Sequence, residues 1–143
     1  MCICISLLSL GCVITAVSAG ADYEESTHFT IDDNGYTTSI MQDSYFVLEL
    51  PENPTTGYEW DLNVSDGLEV LFSDYYAAPE SENMAGVGGT HRWYIYATKD
   101  GVQTVSAVYK QAGAPASDSD ATYSLTLNVI HQEWFPTDPA IGI

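Results

Sequence analysis

The chain has 143 residues, 45% of them hydrophobic, with twenty acidic against three basic residues and a formal net charge of -17 at pH 7. That length and apolar content suit one domain with a buried core, and three cations, Arg92, Lys99 and Lys110, are too few to neutralise a phosphate backbone, which excludes a nucleic-acid partner. The acidity fits a surface kept soluble in salt, where screening weakens self-repulsion, better than it fits steering towards a basic partner.

Met1 to Gly20 carry no charge, and the apolar run from Ile3 ends in Val17-Ser18-Ala19, the small-residue spacing of a signal-peptidase site. Export to the extracellular space or the cell surface is therefore expected. Residues 1–21 are read as a cleaved signal peptide or, since no basic residue precedes the apolar run, as an N-terminal membrane segment. Leu10-Gly11-Cys12 also has the look of a lipobox and leaves a lipid anchor open. All three cysteines, Cys2, Cys4 and Cys12, fall in this leader. The secreted domain must then hold without disulfides, and it contains neither a thiol nucleophile nor a thiolate metal site.

Residues 22–130 form the expected domain. His28 to Ile31 reads as a first strand, followed by the turn residues Asp32-Asp33-Asn34-Gly35, which lack the closing Glu of a calcium-binding loop. Tyr45 to Leu50 places Phe46, Leu48 and Leu50 on one face. After a Pro-containing turn, Tyr58, Trp60, Leu62 and Val64 alternate with Glu59, Asp61 and Asn63, giving one packed and one wet face. Asn63-Val64-Ser65 is a formal glycosylation sequon. Asp66-Gly67 makes the next turn, Leu68, Val70 and Phe72 continue the alternation, and Ser73 to Thr90 reads as a long polar loop. Trp93, Ile95 and Ala97 alternate in Arg92 to Thr98, and Asp100-Gly101 is a hairpin signal that predicts pairing with Val102 to Tyr109. Val105, Ala107 and Tyr109 are expected inside. A loop from Gln111 to Asp120 leads to a last strand with Tyr123, Leu125, Leu127 and Val129 in phase.

No segment keeps a helical period, so six to eight short strands separated by turns predict an all-β, immunoglobulin-like β-sandwich. The tail, residues 131–143, with Trp134, Phe135, Pro136 and Pro139, reads as a covering along the sandwich edge. His28, His91 and His131 are dispersed, with no spacing for a metal site or a catalytic triad. Gly86-Val87-Gly88-Gly89 precedes a strand and lacks the Lys of a phosphate loop. The reading is of a protein that is not an enzyme, with no cofactor and no small-molecule substrate, and monomeric.

Two loops remain. Asn53-Pro54-Thr55-Thr56-Gly57-Tyr58 is a stiff turn of uncharged residues: Pro54 fixes its own φ and extends Asn53, and Gly57 supplies the reversal. Gly86-Val87-Gly88-Gly89-Thr90 runs directly into a strand. This pairing, in this order and at this separation, resembles the chagasin family of inhibitors of papain-like cysteine peptidases, over roughly Ser39 to Ile130. The resemblance implies a reversible, non-covalent inhibitor whose loops wedge into the peptidase's active-site cleft without being cleaved. Asn53 to Tyr58 would be the central loop, with Thr55 and Thr56 nearest the target's catalytic residues, and Gly86 to Thr90 would flank it, its glycines allowing close approach to the cleft wall. The family's third loop carries an Arg-Pro-Trp-like motif, where this chain has Gln111, Ala112 and Gly113. Restoring that motif is expected to add an aromatic anchor and tighten binding. The rival reading is an exported immunoglobulin-like adhesive or structural surface domain without a peptidase target.

Overall fold

The computed structural model describes residues 26–79 and 86–133. The leader with its three cysteines and the aromatic tail from Trp134 onward lie outside the described residues. Eight strands form: β1 Thr27–Phe29, β2 Tyr36–Met41, β3 Tyr45–Glu52, β4 Tyr58–Val64, β5 Leu68–Ala77, β6 Gly89–Ala97, β7 Gly101–Gln111 and β8 Ala121–Ile130. They make two four-stranded sheets, in the orders β1-β3-β6-β5 and β2-β8-β7-β4. Neighbours are antiparallel except β1 with β3 and β2 with β8, which are parallel.

Alternation decides which faces meet. Phe46, Leu48 and Leu50 of β3, Trp93, Ile95 and Ala97 of β6, Val105 and Ala107 of β7, and Tyr123, Leu125, Leu127 and Val129 of β8 all join one core with Trp60. Each inward side chain is removed from water while most of its outward neighbours keep some exposure, Val47 of β3 being buried at 1% on the other face; two such inward faces stack as an immunoglobulin-like sandwich. In β4 the pattern holds less completely: Trp60 is buried, but Tyr58 is 39% exposed.

Three expectations need correction. The first strand stops at Phe29, and Ile31–Asp33 is a short 3-10 turn, because Thr30 Oγ1 accepts from Asp32 N at 3.3 Å while Thr30 N donates to Asp33 Oδ2 at 2.7 Å. That reciprocal cap competes successfully with extension of the strand. The excursion expected from Ser73 is shorter, since β5 continues to Ala77 with Asp74, Tyr75 and Tyr76 opposite Arg92, His91 and Thr90. A register shift between Val70 and Phe72 breaks the alternation there, and Val70, Leu71 and Phe72 are all partly exposed on an edge strand. Finally, the segments either side of Asp100-Gly101 do not pair: β6 lies in one sheet and β7 in the other. Both carry a buried face, and crossing between layers lets those faces enter the same core instead of lying side by side.

Tyr123 is 1% exposed, and its hydroxyl has no hydrogen-bond partner among the described residues. Burial, with the charge of Asp33 adding, pushes its phenol above the ordinary tyrosine range. A raised folded pKa leaves stability intact below the unfolded value of about 10 and erodes it as pH rises beyond, because the unfolded chain ionises first. Tyr123→Phe is expected to hold or raise the melting temperature at neutral pH, since it removes an unpaired buried hydroxyl. It should also flatten the alkaline loss, as thermal melts from neutral pH to beyond about pH 10 would register.

Candidate functional site

Ladder register brings the three sequence-predicted loops to one end of the sandwich. Glu52, the last residue of β3, pairs with Gly89, the first of β6, and Tyr58, the first of β4, pairs with Gln111, the last of β7. The β3–β4, β5–β6 and β7–β8 connections therefore leave the same edge.

The central loop is a single 3-10 turn, Pro54–Thr56, begun by Asn53 and ended by Gly57. Asn53 Oδ1 accepts from Thr55 N at 3.2 Å and from Thr55 Oγ1 at 2.5 Å, and the Asn53 carbonyl accepts from Thr56 N at 3.1 Å and Thr56 Oγ1 at 2.7 Å. Pro occupies the first helical position, where no N–H is needed. Gly57 has φ +79°, a left-handed conformation that costs a side-chain-bearing residue roughly 1–2 kcal/mol. Pro54, Thr55, Thr56 and Gly57 are all exposed. Both threonine hydroxyl protons are spent inside the turn, so what it offers a partner is chiefly methyl groups, oxygen lone pairs and free peptide groups.

Asn53 also reaches the other loops. Its Nδ2 donates to Gly86 O at 2.9 Å, and its backbone N donates to the Tyr109 hydroxyl at 3.0 Å. On the other side Ala112 N donates to Gly57 O at 2.9 Å, so the three loops are stitched in a row with the central one in the middle. Gln111, Ala112 and Gly113 are exposed, and Lys110 Nζ holds their far side by donating to Ala114 O at 2.8 Å while lying 3.3 Å from Asp61.

The glycines of the second loop serve the chain itself. A Cβ on Gly88 would lie 2.7 Å from Glu52 O, and one on Gly89 would overlap Tyr76 O. Val87, Gly88, Gly89 and Thr90 are half-buried, so close approach here is first to β5 and the end of β3, and only Gly86 stands clear at the rim.

Beneath the loops lies a layer that the motif reading missed. Trp60 donates from Nε1 to Pro51 O at 2.8 Å and from its backbone N to Glu52 Oε2 at 3.1 Å. Its ring centroid is 5.0 Å from that of Tyr109, which is in turn 5.7 Å from Tyr58. Glu52 is 7% exposed and meets His91. One signal was available: counting by twos from Phe46, Leu48 and Leu50 puts Glu52 on the core face, where a carboxylate requires partners. The other two histidines sit apart, His28 at 3.7 Å from Glu49 and His131 at 2.7 Å from Gln42 Oε1. Among the described residues no cluster of His, Cys, Asp or Glu could hold a metal ion.

Residues 39–127 match the family model described as chagasin family peptidase inhibitor I42. Amoebiasin-1 of Entamoeba histolytica is 32% identical over 100 residues, covering 70% of this chain and 96% of that protein. The solution structure of amebosin superposes with a TM-score of 0.61 at 30% identity, covering 73% of this chain and 98% of the other. A crystal structure of a cysteine protease inhibitor from Entamoeba histolytica gives a TM-score of 0.66 at 18% identity, over 73% of this chain and 95% of the other, a likeness of fold.

Proposed function

The chain belongs to the chagasin family of peptidase inhibitors, and we propose that it inhibits papain-like cysteine peptidases by inserting the stitched end of its sandwich into the active-site cleft. The observation that carries this reading is the row of three loops joined by the Asn53 Nδ2–Gly86 O and Ala112 N–Gly57 O hydrogen bonds. A pre-ordered wedge loses little conformational entropy on docking. With Pro54 at the first position of its 3-10 turn, and with both threonine hydroxyls engaged internally, the central loop is a rigid surface to be bound.

Titration against a panel of papain-like peptidases is the test. Reversible inhibition with the protein recovered uncleaved is expected, and serine peptidases should be unaffected. No inhibition by a protein shown to be folded by circular dichroism would favour the adhesive reading instead. Within the loop, Thr56→Ala and Gly57→Val should weaken inhibition more than they lower the melting temperature. Thr56→Ala removes the hydroxyl that donates to Asn53 O at 2.7 Å and accepts from Tyr58 N at 3.4 Å, both within an exposed turn, and Gly57→Val strains that turn with nothing within 4 Å of its Cβ.

Geometry reverses the expectation for the third loop. Proline at 112 deletes the N–H that binds Gly57 O, and Gly113 has φ +73°, where tryptophan is strained. Gln111→Arg, Ala112→Pro and Gly113→Trp together are therefore expected to weaken inhibition, and Gln111→Arg alone to leave it within about threefold. Inhibition constants for both variants against one peptidase decide it. The leader reading adds that the inhibitor works outside the cell, which N-terminal sequencing of protein recovered from culture medium would test.

A further inference from the structure

The core face of β3 runs Phe46, Leu48, Leu50 and then Glu52. A carboxylate placed there loses hydration and persists only with hydrogen bonds to replace it. Its Oε2 accepts from Trp60 N at 3.1 Å, and its two oxygens lie 3.2 and 3.1 Å from His91 Nδ1. A carboxylate can only accept, so for this contact to be a hydrogen bond the proton is assigned to Nδ1. The imidazole is itself held flat against Trp93, with centroids 4.0 Å apart and planes 2° from parallel. These partners sit at the roots of two loops: Glu52 immediately precedes Asn53, Trp60 follows the central loop on β4, and His91 follows Thr90 on β6.

We propose that Glu52 is the positioning residue of the inhibitory wedge, acting with His91 to fix the central loop and the Gly86–Thr90 loop relative to each other. The proposal rests on the cleft-binding reading above. A buried polar pair is weak support for stability, and an apolar side chain of similar volume often replaces one without loss of folding. What it does supply is direction. Glu52 joins β3, β4 and β6 by hydrogen bonds, which are directional, whereas apolar burial is not.

Three variants separate the roles. Glu52→Leu keeps the volume and removes both bonds. Glu52→Gln keeps an acceptor for Trp60 N and offers its amide N–H to His91 Nδ1, which then becomes the acceptor. His91→Phe keeps the stack on Trp93 without the polar link. Inhibition of papain should weaken about thirtyfold in Glu52→Leu and about tenfold in His91→Phe, and stay within about threefold of the parent in Glu52→Gln.

In the uncomplexed protein, hydrogen exchange at Thr55, Thr56 and Gly57 should rise in Glu52→Leu and return in Glu52→Gln, while the β7–β8 ladder keeps its protection. The ring nitrogen shifts of His91 should report Nδ1–H in the parent and Nε2–H in Glu52→Gln. Equal losses in Leu and Gln variants would overturn the proposal, as would unchanged loop exchange in Glu52→Leu, or inhibition that falls only in step with melting temperature. If Glu52→Leu does not fold, His91→Phe read against Glu52→Gln makes the same decision. Exchange and ring shifts are read without a peptidase, so they judge the positioning role even if the parent protein inhibits no peptidase in the panel.

Discussion

Trp60→Ala is expected to lower the free energy of unfolding by about 3–5 kcal/mol, the usual cost of truncating a large core aromatic. The side chain is 9% exposed within the core cluster, so truncation opens a cavity that closes only if the two sheets move together against the rest of the packed core. It also strands the Pro51 carbonyl, which accepts from the indole N–H at 2.8 Å, and removes the ring beside Tyr109. Against a typical total of about 5–15 kcal/mol, a loss of this size leaves little margin. Denaturant melts of Trp60→Ala beside Thr56→Ala check it: the first should lose stability, and the second should lose inhibition with its midpoint nearly unchanged. Similar midpoints for the two would mean that the ring lies in a site able to collapse around the gap.

Gly89→Val is expected to weaken inhibition by more than about thirtyfold and to destabilise the fold by about 1–3 kcal/mol, the range for forcing extra atoms into a packed interior. A Cβ at this position overlaps the Tyr76 carbonyl and comes within 2.9 Å of Ala77 Cα and 2.7 Å of the Tyr75 hydroxyl. Two of the three obstacles are backbone, which cannot swing aside as a flexible side chain does. The β5–β6 ladder must open at its loop end, where Tyr76 pairs with Thr90 and Ala77 with Gly89. That opening displaces Gly86 from Asn53 and loosens the stitched row. Gly57→Val is the internal comparison, because its Cβ meets nothing within 4 Å and its penalty is local backbone strain. Hydrogen exchange across 75–77 should rise in Gly89→Val alone. Protection retained there would show that β5 shifts as a unit to make room.

Much of this architecture was legible before any coordinates. Phe46, Leu48 and Leu50, then Trp93, Ile95 and Ala97, then Tyr123, Leu125, Leu127 and Val129 announce their strands and their buried faces, because side-chain alternation is a local consequence of extended backbone. The central turn was legible for the same reason: Asn-Pro and Thr-Gly restrict their own dihedrals whatever surrounds them. Family resemblance followed from those residues and their order.

Tertiary structure alone decided the rest. Alternation says that a strand has an inner face but not which strand lies beside it, so Asp100-Gly101, a sound hairpin signal, instead carries the chain from one sheet to the other. Tyr75 and Tyr76 became strand because His91 and Thr90 stand opposite them, a partnership between positions well separated in sequence that no local propensity encodes. The second-loop glycines were identified as special from sequence, while the reason, a backbone pressed against Tyr76 and Glu52, exists only in the packed state. Asn53 reaching Gly86, Gly57 reaching Ala112 and Glu52 meeting His91 are likewise contacts between distant segments. The sequence by itself determined most of the strands, the core and the central turn; long-range pairing determined that three loops lie side by side at one end of the sandwich, since directional hydrogen bonds form only after the sheets have brought their partners within reach.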